Sequence, residues 1–179
     1  MTPYLTLFLF DILLGFIPQA TGCAICLFAF TNQSLKTKNF MLTALIFSAI
    51  AVGVRMICDY GIIEFGFHTI LIWLIYVIVA IMYNKLPTLK STISIMISGI
   101  LIVITEVIAA LAFTLIIGAE KFNAIMDNTA ATIDGKITRA MYGVPMNLLF
   151  FATTFLVYYI MKRRTARIAA RGESGEAEA

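Results

Sequence analysis

Charge is what this chain has least of. Of its 179 residues, 13% are Asp, Glu, Lys or Arg, about half the ~25% share found in soluble domains. There is one histidine and there are three cysteines. That is too few ligands for most metal schemes, so neither a metal nor a cofactor is expected. No phosphate-binding glycine loop and no nucleic-acid patch are present, so nucleic acid is not an expected partner. Cys23 and Cys26 form a Cys-x-x-Cys. It falls inside a helical run, where such thiols share a face without the strained turn of redox pairs. A Cys58–His68 nucleophile pair lacks a third orienting group. Thiol oxidoreductase and peptidase readings are therefore weak, and the chain is not expected to be an enzyme.

Apolar sequence is what the chain has in abundance. Hydrophobic residues make up 61%, and the mean hydropathy is +0.95. Five apolar runs cover about 4–30, 41–58, 67–83, 93–118 and 143–161. A spanning helix needs about 20 apolar residues, and a backbone inside lipid must satisfy its own hydrogen bonds. The fold expected is an all-α membrane protein, a bundle of five transmembrane helices over residues 1–164. Pro18 is expected to kink or break the first helix. No cleaved signal is expected, because the first eleven residues carry no Lys or Arg and Asp11 interrupts the apolar run.

Basic residues set the orientation. Lys36, Lys38, Lys85, Lys90, Lys162, Arg163, Arg164, Arg167 and Arg171 fall on one side, and only Lys121, Lys136 and Arg139 on the other. The N-terminus is expected outside the cell membrane and the C-terminus in the cytoplasm. Residues 165–179 offer few apolar side chains to bury and are expected to be a disordered tail. In the long 119–142 connection, Ile125, Met126, Ile133, Ile137 and Met141 are spaced for an amphipathic surface helix. It reads as a solvated connector or as a lid.

Two charges lie within spanning runs, Arg55 and Glu106. A charge at the centre of a spanning helix costs about 2.5–3.5 kcal/mol on insertion scales unless it is paired or wet. At 1.5 Å per residue both stand about 20 Å above the inner ends of their helices. Asp11, His68 and Asn147 fall at a similar height, with Trp73 slightly deeper. One reading is an ion pair that holds the bundle together. The other is a ligand pocket of Arg55, Glu106, His68, Asp11, Asn147 and Trp73, open to the outer face.

Several strings carry a resemblance. Ile17-Pro18 in the first helix, Arg55 closing the second and Gly66-Phe67-His68-Thr69 opening the third are three of them. Glu106 in the fourth and Gly143-Val144-Pro145-Met146-Asn147 opening the fifth complete the set. Over roughly residues 10–164 the chain resembles the N-terminal five-transmembrane sensor region of bacterial, Firmicute-type histidine kinases. Broadly similar membrane domains occur in quorum-sensing peptide-receptor kinases. The chain stops where those kinases continue into a phosphoacceptor helix and an ATP-binding domain, so the resemblance implies sensing without kinase activity.

The function expected is a multi-pass sensor or ligand-binding module acting through a separate partner. The expected partners are the lipid bilayer, an outer-side ligand, a kinase or other signalling protein, and a second copy of the chain. The alternatives are the substrate-binding component of a small-molecule transporter and a non-catalytic assembly subunit of the membrane.

Overall fold

A computed structural model describes residues 5–6, 8–59, 67–127 and 133–176. The side chains of Asp11, Asp59, Phe67, Met126, Asp127, Ile133, Lys136, Arg139 and residues 169–176 fall outside the description. So do most of the turn between the second and third apolar runs and the centre of the 119–142 connection.

Most of the described residues are helical, with no strand among them. A π-helical segment, Phe8–Phe16, passes directly into α1, Ile17–Phe30. Then come α2 (Lys38–Asp59), α3 (Phe67–Met82), α4 (Thr88–Ile117), the short α5 (Ala119–Asp127) and α6 (Ile133–Glu176). Pro18 lies in the first turn of α1, directly after the π-helical segment. No break separates the two pieces, and the winding changes from π to α at Phe16–Ile17. Pro145 sits inside α6.

Four stretches are long and apolar enough to cross a membrane: Phe8–Phe30, Lys38–Cys58, Thr88–Ile117 and Ala140–Ile168. α3 is as apolar, but its 16 residues reach only about 24 Å, short of the ~30 Å hydrocarbon layer. α6 differs most from expectation. It starts ten residues before 143, and it continues as helix to Glu176 through the tail expected to be disordered. The strong helix formers Ala166, Arg167, Ala169, Ala170 and Arg171 let the tail prolong an existing helix.

α1 is the centre of the bundle. It packs on α2, α4 and α6, while α3 bridges α2 and α4 on the periphery. Every residue from Gly22 to Ala29 is buried, which marks a helix surrounded on all sides. Small residues permit this: Ala20, Gly22, Cys23, Ala24, Cys26 and Ala29 let neighbouring backbones approach. At Gly22 a β-carbon would fall 2.5 Å from the ring of Phe150 on α6, so only glycine seats that ring.

Several hydroxyls inside the bundle satisfy themselves locally, whereas Ser91 Oγ and Ser94 Oγ are buried without a hydrogen-bond partner among the described residues. Thr21 donates to the Ile17 carbonyl at 2.7 Å, Thr105 to Leu101 at 2.9 Å and Thr154 to Phe151 at 2.7 Å. This back-bonding removes most of the cost of placing a hydroxyl away from water. α1 ends in a Schellman turn. Asn32 takes a left-handed φ of 58°, Gln33 N–H donates to the Phe28 carbonyl at 2.8 Å, and Asn32 N–H donates to Ala29 at 3.3 Å.

Candidate functional site

Arg55 lies eight residues along α2 from Phe47, and that spacing fixes its level. Phe47 stacks on Tyr76 with ring centroids 3.8 Å apart, and the Tyr76 hydroxyl donates to the Phe47 carbonyl at 2.9 Å. Four residues earlier, Thr43 meets Asn84 at 3.0 Å, so α2 and α3 run antiparallel. Stepping from 47 to 55 on α2 and from 76 back to 68 on α3 brings Arg55 and His68 to one level.

The π-helical segment reaches the same level. The Arg55 guanidinium carbon lies 5.8 Å from the centroid of the Phe16 ring, in cation–π range. Arg55 is half-buried and its Nε is inaccessible. Next to Phe16, buried Gly15 faces Asn147 of α6. A β-carbon at Gly15 would lie 3.7 Å from Asn147 Nδ2, and one at Gly143 would lie 3.9 Å from it. Both glycines thus lie within van der Waals reach of the Asn147 amide. The Nε2 of half-buried His68 is 3.4 Å from Thr69 Oγ1. Asp11 lies in the π-helix five residues before Phe16, one i→i+5 closure away, and its side chain is outside those described.

Glu106 shares this level without sharing the interior. The Trp73 ring lies on the α4 backbone at Gly99, where a β-carbon would come within 2.5 Å of it. α3 and α4 are joined by the short 83–87 turn and run antiparallel. Counting from 99 to 106 and from 73 back to 66 places Glu106 just beyond the start of α3 at Phe67. Its side chain is exposed and makes no hydrogen bond or ion pair among the described residues. The expected meeting of Arg55 and Glu106 in the bundle interior is therefore absent. The reason is topological: α2 and α4 do not pack on each other, because α1 and α3 lie between them.

Of the six expected site residues, Arg55 and Asn147 converge on neighbouring positions of the π-helical segment, and His68 stands level with them. Trp73 fills the α3–α4 groove, and Tyr76 is a core residue. Cys23 and Cys26 are buried and unbridged in α1, and Cys58 is a free, half-buried thiol. Among the described residues no three His, Cys, Asp or Glu side chains cluster as metal ligands. Sequence reading missed Gly15 and Phe16, which receive Asn147 and Arg55. The only hint was the Gly15-Phe16-Ile17-Pro18 string, where two helix-disfavouring residues flank the change of winding.

The C-terminal end of α4 is tied to α5 and α6 by aromatics. Phe113 of α4 packs against Phe122 of α5 at 6.2 Å and edge-on against Tyr142 of α6 at 5.0 Å. At the opposite end a recess of about 80 Å³ is lined by Ala29, Asn32, Gln33, Ser34, Tyr158 and Lys162. The Lys162 ammonium lies 5.6 Å from the Tyr158 ring centroid there.

No family model, curated protein or solved structure matches this chain.

Proposed function

We propose that the chain is a multi-pass membrane module of five crossing helices. It binds a ligand from the outer side and passes the event to a separate signalling partner. One observation carries the reading: Arg55 from α2 and Asn147 from α6 both meet the π-helical segment, at Phe16 and Gly15. An intramembrane cation and an amide that meet adjacent residues of one segment suit an anionic or carbonyl-bearing ligand. His68 and Asp11 complete the polar layer. π-helical turns concentrate at functional sites, and this one continues without interruption into the buried centre of the bundle.

The route outward is α6. It carries Asn147 at the pocket, and its 44 residues extend about 66 Å, well past the bilayer. A ligand that draws Asn147 toward Arg55 would shift α6 against α1 and move its basic end. Ligand binding would then bias two helix arrangements. The short α3, packed on α2 and α4, crosses with the others by thinning the bilayer around it. The basic asymmetry puts the N-terminus outside and the basic end of α6 in the cytoplasm.

Thermal-shift screening of the purified protein in detergent, against peptides and small anions, tests this reading. A ligand whose stabilisation disappears in Arg55→Ala and Asn147→Ala but persists in the lipid-side variant Leu156→Ala supports it. Ligand shifts unaffected by both pocket substitutions would reject the site.

A further inference from the structure

Glu106 is a carboxyl group on the outer surface of a helix long and apolar enough to span a membrane, with no hydrogen-bond or ion-pair partner among the described residues. It lies eleven residues from Ile117, the end of α4, which is about 16 Å along the axis. It is therefore inside the hydrocarbon layer and not at the headgroups. A charge held there against lipid is costly, and one structural solution is a partner that covers it.

The surface around it has the pattern of a helix seam. Ile93, Met96, Ile100, Val103 and Val107 are all exposed, and they recur at alternating spacings of three and four residues. This is the a/d repeat by which two helices interlock. The a-type positions, Ile93, Ile100 and Val107, are all β-branched. Glu106 directly precedes Val107 and so occupies the flanking g-type position. There a charged side chain reaches across to the e-type position of the facing helix and selects the partner.

The geometry points to this face of α4 as the docking surface for a transmembrane helix of a different protein, bearing Lys or Arg opposite Glu106. A second copy fits poorly. In a parallel two-fold pair the e-type residue facing Glu106 would be Leu111 of the other copy, which is apolar and offers no hydrogen bond. Arg55, the basic residue at this depth, is turned inward onto Phe16. The surface is independent of the ligand pocket proposed above, because Glu106 faces away from it.

The full chain, labelled at its basic end, would be reconstituted in phosphatidylcholine vesicles with labelled model helices and followed by energy transfer. One helix repeats the α4 seam spacing with Arg at a single e-type position, a second has Leu there, and a third carries the Arg one helix turn away. The Arg helix should associate at least tenfold more tightly than the other two. Glu106→Gln should abolish that preference while helical content stays unchanged. Equal association of the Arg and Leu helices would overturn the proposal. So would transfer dominated by pairing between copies of the chain that Glu106→Gln removes. No ligand enters the assay, so its outcome is separate from that of the pocket.

Discussion

The ring of Trp73 rests on the backbone of α4 at Gly99, closer than any side chain there would permit. This contact holds the short, peripheral α3 against α4. Gly99→Ala should force the ring or the helix to move and cost about 1–3 kcal/mol, as overpacking does. Thermal unfolding in detergent should show the loss. Trp73→Leu combined with Gly99→Ala should recover part of it, and a double variant as unstable as the sum of the singles would contradict the contact.

Gly22 and Phe150 make the same kind of seat at the bundle centre, between α1 and α6. Phe150 is buried, so Phe150→Ala should cost about 3–5 kcal/mol through the cavity it leaves. Gly22→Ala should destabilise by overlap, and Gly22→Ala with Phe150→Leu should be less harmful than Gly22→Ala alone. Urea or SDS titration of the purified variants measures both.

Tyr76 contributes through its ring more than through its hydroxyl. Tyr76→Phe removes one interhelical hydrogen bond to Phe47, and such bonds average about 0.6 kcal/mol in membranes. Tyr76→Ala also removes the stack and the buried volume, and should cost several times as much. A Tyr76→Phe variant as unstable as Tyr76→Ala would show that the hydroxyl dominates.

Arg55 and Glu106 should behave as independent residues. They lie on helices that do not pack together and share no partner, so Arg55→Ala and Glu106→Ala should add within about 0.3–0.5 kcal/mol. Arg55→Ala should be the more destabilising, because it loses the Phe16 contact. A double variant markedly more stable than either single would restore the buried ion pair.

Topology has a direct test. Single cysteines at Ser34 and Asn84, in a background with Cys23, Cys26 and Cys58 removed, should resist an impermeant thiol reagent in intact cells. One at Asn123 should react. The reverse pattern would invert the orientation.

The class of this protein was legible in the sequence because hydropathy and length are properties of a single helix. Runs near 41–58 and 93–118 announce membrane helices whatever they pack against, and the structure extends them modestly to Lys38–Asp59 and Thr88–Ile117. Depth was legible too, since 1.5 Å per residue places Arg55, His68 and Glu106 near one level without knowledge of any neighbour. Facing was not. In lipid an inward face is no more hydrophobic than an outward one, so periodicity does not show which side of α4 meets α1. That the first helix is the buried centre depends on which helices neighbour it. That α3 bridges α2 and α4, so that Arg55 turns onto Phe16 while Glu106 faces out, is likewise a matter of contacts between distant parts of the chain. Only tertiary packing decides such contacts, because side-chain fit at positions like Gly22 and Gly99 selects among helix arrangements that hydropathy leaves equal.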